Sequence, residues 1–116
     1  MKESRGFTLV ELLVIVAMMG IISSIGFPFV LKARDTAAEA ATRAFTHNLY
    51  KTAYAHIAVA VDNTVVTDDD CTDGYTAGDY SIVAKLALAS CEVRMGADDL
   101  PFVRVVSAQG MAFTLP

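Results

Sequence analysis

A chain of 116 residues with a formal net charge of −4 is short and acidic. Its length allows one small domain besides any membrane segment. Its acidity argues against general nucleic-acid binding, which requires a basic face. The overall hydrophobic share of 54% misleads as an average, because much of it lies in the first third of the sequence. The part from Lys32 onward is more polar and provides only a small core.

The longest apolar segment runs from Phe7 to Leu31 and carries one formal charge, Glu11. At about 1.5 Å per residue, a helix of this length reaches roughly 37 Å, enough to cross a hydrocarbon core of ~30 Å. A carboxylate at the centre of such a helix costs about 2.5–3.5 kcal/mol on insertion scales. Glu11 therefore requires a partner, and a positive charge near the start of the helix would suit it.

The start of this segment, Gly6 to Leu12, reads GFTLVEL. It resembles the processing motif of type IV prepilins and of the related pseudopilins of type II secretion. The resemblance covers roughly residues 5–34 and combines a charged leader, a glycine, a phenylalanine, the glutamate and a long apolar run. It implies that a membrane aspartyl peptidase cuts after Gly6 and methylates the new amine of Phe7. It also implies that Glu11 pairs with the Phe7 amine of a neighbouring subunit as a filament assembles.

Two other interpretations of the same segment remain open. A secretory signal peptide would use Lys2 and Arg5 as its positive region and Ser24-Ile25-Gly26 as its cleavage site. The apolar run is too long for that, and Glu11 lies where such peptides are uncharged. A plain single-span anchor explains the length but leaves Glu11 unexplained.

The resemblance implies an α+β, pilin-like fold, in which a long N-terminal helix packs against a small C-terminal antiparallel hairpin or sheet. It divides the chain into a leader (1–6), a transmembrane and filament-core helix (7–31) and an extracytoplasmic head (32–116). The precursor would lie in the inner membrane with its leader in the cytoplasm. The charge rule does not decide this orientation, since Lys32 and Arg34 balance the leader.

The function implied is that of a major pilin in a type IV pilus, serving adhesion, motility or DNA uptake at the cell surface. The alternative is a pseudopilin of type II secretion. The partners implied are further copies in a helical filament, the prepilin peptidase and the pilus assembly machinery. The sequence does not separate these roles.

Three residues interrupt the helix pattern of the apolar segment: Gly20, Gly26 and Pro28. Proline inside a helix removes a hydrogen bond and clashes with the carbonyl four residues earlier, here that of Ser24. We expect a kink in the monomer. The resemblance implies that the stretch from Gly20 to Pro28 extends in the assembled filament.

The helix pattern continues from Lys32 to about Asp62-Asn63, without glycine or proline. Glu39 and Arg43 form an i,i+4 pair of the favourable order. An apolar stripe at three- and four-residue steps predicts a face that requires a cover: Phe45, Leu49, Ala53, Ile57, Ala60 and Val61. The first element is therefore one helix of some 50 residues.

The two cysteines are Cys71 and Cys91. They are either buried free thiols or, if this part lies outside the cytoplasm, a disulfide. A disulfide closing this loop would stabilise the fold by about 3 kcal/mol in the chain-entropy model. With no histidine near them, a metal site is improbable.

Residues 64–79 are turn-rich, with clustered carboxylates from Asp68 to Asp73. An EF-hand is excluded, because Cys71 and Tyr80 occupy ligand positions of a loop starting at Asp69. The alternatives are a looser calcium site, as major pseudopilins have, or a solvated acidic loop. Our prediction assigns no metal.

The C-terminal part predicts a hairpin: a strand at 102–107, a turn at Ala108-Gln109-Gly110, and a half-buried strand at 111–115. Ser81–Ser90 is ambiguous, but its apolar spacing favours a short amphipathic helix over a strand. A lone hairpin is marginally stable. We therefore expect the helix stripe to cover it and a further strand to come from elsewhere, including a partner chain.

No catalytic constellation, phosphate loop or zinc pattern occurs in the sequence. An extracytoplasmic membrane-anchored enzyme would need convergent acid, base or nucleophile residues, and the candidates here are scattered. We therefore predict a structural subunit that is not an enzyme and requires no cofactor.

Overall fold

The computed structural model describes residues 6–62 and 64–116. Most of the predicted leader and Asn63, part of the predicted helix stop, lie outside the described residues. Internal packing divides the chain after Arg34 into two compact units. The predicted boundaries at Gly6 and Leu31 stay predictions.

The first element is a single helix, α1, over Leu9–Val59 with 51 residues. The predicted long helix is therefore confirmed. It continues through Gly20, Gly26 and Pro28, and the Ser24 hydroxyl donates to the Ile21 carbonyl at 2.8 Å. The kink at Pro28 and the extension in a filament stay predictions.

Five strands follow: β1 (Gly74–Ala77), β2 (Tyr80–Val83), β3 (Leu88–Met95), β4 (Pro101–Ser107) and β5 (Ala112–Leu115). The last three form an antiparallel sheet in the order β3-β4-β5, and β1 and β2 form a separate hairpin. The α+β arrangement of one long helix and a small C-terminal antiparallel sheet is thus confirmed.

The core of residues 35–116 joins the helix stripe to the sheet. The helix contributes Phe45, Leu49, Ala53 and Ile57, and the sheet contributes Cys91, Val93, Val103 and Val105. Alternate residues of β4 point inward, as the pattern of a half-buried strand requires. Two members of the predicted stripe differ: Ala60 is only partly buried and Val61 is fully exposed, because α1 ends at Val59.

Tyr75 of β1 anchors the segment that leads from the helix to the hairpin. Its ring is buried, and its hydroxyl donates to the Val66 carbonyl at 2.7 Å. Burial, and next the negative charge of Asp68, raise the pKa of Tyr75 to about 12. The tyrosine is therefore neutral and bonded at physiological pH.

Both strands of the predicted C-terminal hairpin are confirmed, with the turn between them closed by a bond from the Gly110 N–H to the Ser107 carbonyl at 2.9 Å. Gly110 has a φ of 88°, which favours glycine. The expected third strand exists within this chain, as β3. A further strand from a partner chain stays a prediction.

The predicted helix in Ser81–Ser90 was wrong. The region holds the end of β2 and the start of β3. Apolar residues four apart, such as Ile82 and Leu86, share a face in a helix and in a strand alike, so the spacing did not discriminate. The β1–β2 hairpin makes residues 81–83 part of a strand. Gly78, with a φ of 58°, begins the two-residue turn that places Tyr80 opposite Ala77.

A second correction concerns Glu39 and Arg43. No ion pair joins them within the described residues. The Arg43 guanidinium instead lies over the Phe113 ring of β5, 5.7 Å from its centroid. Arg43 is exposed and Glu39 is partly exposed, and a pair of this kind contributes little, so the contact with the aromatic face fixes the cation instead.

Candidate processing and assembly site

The start of α1 is built by a reciprocal cap between Thr8 and Glu11. Thr8 precedes the first helical residue, and its hydroxyl accepts the Glu11 N–H at 3.3 Å. The Glu11 Oε2 atom accepts the Thr8 N–H at 3.5 Å and the Thr8 hydroxyl at 3.4 Å. This is a capping box, in which two unpaired donors of a helix start are satisfied together.

The cap gives the Glu11 carboxylate neutral hydrogen-bond donors, not the positive charge expected from the sequence. Its bonds are long, so they hold the carboxylate weakly, although the helix dipole adds attraction for an anion in the first turn. Thr8 was not among the predicted site residues. The spacing Thr8-x-x-Glu11 before an apolar run is the signature that identifies such a cap from sequence.

The cap also fixes where the helix begins, and it therefore leaves the Gly6–Phe7 bond outside the helix. Gly6, Phe7 and Thr8 are not helical, and all three are exposed. Phe7 has 71% of its surface exposed. The peptide bond predicted to be cut thus lies in open backbone two residues before α1, where no helical hydrogen bonds have to be broken before a peptidase acts.

Every residue from Gly6 to Ala37 is exposed, although the segment is strongly apolar. By length and composition, α1 is the one helix in the described part of the chain that could cross a membrane. An uncovered apolar surface of this extent requires lipid or another protein to cover it. The N-terminal segment therefore suits a membrane-anchored precursor.

The predicted assembly residues Gly20, Gly26 and Pro28 lie on this uncovered surface. A Cβ atom added at Gly20 or Gly26 would meet nothing within 4 Å. The chain itself therefore gives neither glycine a packing role. The assembly roles of all three residues stay predictions.

The structure forms the disulfide between Cys71 and Cys91, with the two Cα atoms 4.9 Å apart. Both cysteines are buried. Cys91 lies on β3 and Cys71 precedes β1, so the bond attaches the acidic segment to the sheet. Disulfides of this kind persist in oxidising compartments.

Within the described residues, no group of three or more metal-binding side chains comes together. In the acidic segment, an Asp68 carboxylate oxygen accepts the Asp70 N–H at 3.0 Å, and an Asp70 oxygen accepts the Thr72 hydroxyl at 2.6 Å. These carboxylates order their own loop.

The long helix begins at an exposed capped end, presents an uncovered apolar surface and continues into a small disulfide-linked α+β head. This arrangement suits the class of membrane-anchored subunits with an N-terminal helix. Residues 1–27 match the family model for the prokaryotic N-terminal methylation motif. This is the prepilin signature of type IV pilins and pseudopilins, so the resemblance found in the sequence is confirmed for this segment.

Comparison with curated proteins and with solved structures found no match to the chain. The motif supports a pilin-like or pseudopilin-like protein of a structural type, rather than an enzyme. It implies processing by a prepilin peptidase and assembly into pilus-like polymers.

Proposed function

We propose that the chain is the major pilin of a type IV pilus, cut between Gly6 and Phe7, methylated at Phe7 and assembled through its N-terminal helix. The observation that carries the proposal is the uncovered apolar surface from Gly6 to Ala37, which overlaps the matched motif and continues beyond it in the sequence. A filament core covers such a surface with the same surface of other copies. Adhesion, motility and DNA uptake are the functions that such a filament serves.

The energetics of assembly make Glu11 decisive. Moving apolar side chains from lipid to other apolar side chains gains little hydrophobic free energy, so packing and polar contacts drive association in membranes. Within the described residues, Glu11 accepts two weak bonds from Thr8. Cleavage creates a positive amine at Phe7, to which Glu11 is the natural partner.

After cleavage, two amines are candidates to pair with Glu11: the Phe7 amine of the same chain and the Phe7 amine of the next subunit. Only a pairing between subunits fixes the axial register of a filament. Either pairing lowers the cost of a carboxylate among apolar side chains, because a buried charge left without its partner is strongly destabilising.

The test replaces Glu11 with alanine in a strain that makes no other copy of the chain. Membrane insertion should be normal or improved, since a group unfavourable in lipid is removed. Cleavage after Gly6 should survive. Surface filaments should fall at least about tenfold, as expected for loss of a buried charge pair worth about 1.4 kcal/mol or more.

Two variants sharpen the test. Glu11→Gln keeps the shape and the bonds to Thr8 but removes the charge, so it should fail as Glu11→Ala does. Asp35→Ala removes an exposed carboxylate from the same helix and should assemble normally. Regular filaments made only of Glu11→Ala in normal amounts would contradict the proposal.

A pseudopilin of type II secretion shares this N-terminus and is the alternative. Imaging of surface filaments, with mass spectrometry of their subunits, separates the two. Long filaments containing this chain on wild-type cells support a pilus, whereas a chain required for secretion without such filaments supports a pseudopilus.

A further inference from the structure

The two edges of the three-stranded sheet differ in charge. Asp68 forms an isolated bridge to Val93, so the acidic segment from Asp68 to Asp73 lies beside β3. The opposite edge is β5, with which no strand beyond β4 pairs in the described part of the chain. With neighbouring strands about 4.8 Å apart, the acidic segment and β5 lie three strand spacings, or roughly 14 Å, from each other.

The acidic edge, defined as Asp68 to Asp73, is held firmly to β3. The Asp68 N–H donates to the Val93 carbonyl at 2.9 Å, and the Val93 N–H donates to the Asp68 carbonyl at 2.7 Å. The disulfide to Cys91 fixes the same segment. Asp69 and Asp73 remain exposed, so their carboxylates are presented to solvent from an ordered loop.

The other edge carries a groove of about 180 Å³ between α1 and β5. This basic groove is lined by Arg43, Thr46, His47, Phe113, Thr114 and Leu115. The Phe113 ring holds the Arg43 guanidinium by one face, which leaves the N–H groups at its rim available to a carboxylate. His47 adds a ring N–H donor beside it, and the exposed Lys51 follows one helical turn later.

We propose that the basic groove of one copy binds the acidic edge of a second copy of this chain. Each head carries one surface of each kind, on opposite edges of one sheet. The contact is therefore heterologous, with each head donating its acidic edge to the next. Heterologous contacts that do not close into a ring generate helical filaments, so this inference rests on the proposed function and names a head contact for it.

The charges set the range and the salt dependence of the contact. The chain is acidic overall, so whole heads repel one another weakly at a distance. Screening over about 8 Å at physiological ionic strength suppresses this repulsion, while groups in contact are screened much less. Contact between the two edges thus orders heads that the N-terminal helices have already brought together.

The first experiment reverses charge on each edge separately and then on both. Arg43→Glu and Asp69→Lys should each lower the yield of sheared filaments about fivefold, as expected when a close pair becomes a like-charge pair. The double variant restores opposite charges and should recover to within about twofold of wild type. Equal yields for all four chains, or a double variant worse than either single one, would overturn the proposal.

Matched controls make the same charge changes away from both edges. Lys85→Glu and Asp98→Lys alter exposed residues outside the acidic edge and the basic groove. Both should assemble as wild type does. A fall equal to that of the edge variants would show that net charge, and not the contact, controls yield, and would also overturn the proposal.

The second experiment changes no charge. A photoreactive amino acid replaces Thr114, which is exposed on β5. Irradiated filaments should yield a crosslinked dimer, and mass spectrometry should place the second attachment between Asp68 and Asp73. Dimers attached anywhere else, or attachment only to other proteins, contradict the contact.

The outcome separates this inference from the proposed function. If wild-type cells make filaments and filaments of the photoreactive Thr114 variant give no crosslink, the head contact is overturned and the pilin function stands. If wild-type cells make no filament, the pilin function fails, and the same crosslink is then scored on the purified chain in detergent micelles. A dimer attached at the acidic edge there supports the contact, and its absence overturns it.

Discussion

The segment up to Arg34 and the unit from Asp35 to Pro116 meet the demands of folding in opposite ways. In the first, every described side chain is exposed, although most are apolar. In the second, apolar side chains of α1 and the sheet enclose one another, and residues such as Leu49, Val93 and Val103 have no exposed surface. The apolar side chains of the first unit require lipid or other proteins to cover them, whereas those of the second are covered largely by the unit itself.

The difference explains which part of the chain carries a recognisable signature. A segment with the proposed duties of presenting a cleavage bond, spanning lipid and packing against copies of itself has few acceptable sequences. A small core has many, because hydrophobic residues of about the right size suffice. The family match accordingly covers residues 1–27.

Gly6→Val should give the largest effect, because it alters the proposed cleavage site itself. A β-branched side chain beside the scissile bond should block cleavage, so that the membrane fraction contains only uncut chain by N-terminal sequencing. Gly20→Val makes the same change further along the exposed helix and should be cut normally. Efficient cleavage of Gly6→Val, or an N-terminus near Gly26 on the exported wild type, would contradict the processing site.

Leu49→Ala and Leu13→Ala make one chemical change in the two regions. Leu49 is fully buried, so its loss should lower the free energy of unfolding of the head by about 3–5 kcal/mol. Leu13 has 63% of its surface exposed and should leave head stability unchanged. All four tyrosines lie in residues 35–116, and the chain has no tryptophan, so tyrosine fluorescence during denaturant unfolding reports the head. Equal losses of unfolding free energy for the two variants would show that the apolar surface of the N-terminal segment contributes to head stability as the core does.

Removing the disulfide tests how far the head completes itself. Thiol labelling of the denatured, non-reduced wild type should find no free cysteine. Replacing both Cys71 and Cys91 with alanine should lower the free energy of unfolding by about 3 kcal/mol, the cost of releasing a loop of this size in the unfolded chain. Labelling of both cysteines in the exported protein would contradict an oxidised, extracytoplasmic head.

The long helix, its buried stripe and the C-terminal hairpin could be predicted from the sequence, because they depend on local periodicity and a turn glycine. The sequence pattern did not predict every strand. It missed the β1–β2 hairpin, whose two strands have four residues each, and it missed β3, which is bridged to Asp68 much earlier in the chain. Strands this short offer few alternating positions, and packing decides their formation more than local propensity does.

In the candidate site, the motif located Gly6, Phe7 and Glu11 but not the role of Thr8. The sequence showed the apolar run and its single carboxylate. Only the structure shows that Thr8 and Glu11 together start the helix and leave the Gly6–Phe7 bond outside it. The position of the Arg43 guanidinium over the Phe113 ring could not be predicted from the sequence either, since it depends on where β5 lies in the sheet.

Tyr75→Phe should have the smallest effect of the four and the clearest pH dependence. The phenol donates to the Val66 carbonyl, and losing one such bond costs about 1 kcal/mol near neutral pH. The pKa of Tyr75 is raised from 10.0 to about 12 in the folded chain. The folded state therefore holds its proton more tightly than the unfolded state does. This contribution to stability is complete below pH 10 and is lost as the pH rises toward 12.

Wild type and Tyr75→Phe should accordingly differ most near neutral pH and converge between about pH 10 and 12. The exposed Tyr80 supplies the control, since Tyr80→Phe should differ little from wild type near neutral pH. Denaturant unfolding at pH 7 and at about pH 11 measures both differences. If the difference in unfolding free energy between wild type and Tyr75→Phe is the same at both pH values, the buried phenol does not link folding to protonation. Burial and Asp68 would then not raise its pKa in the folded chain.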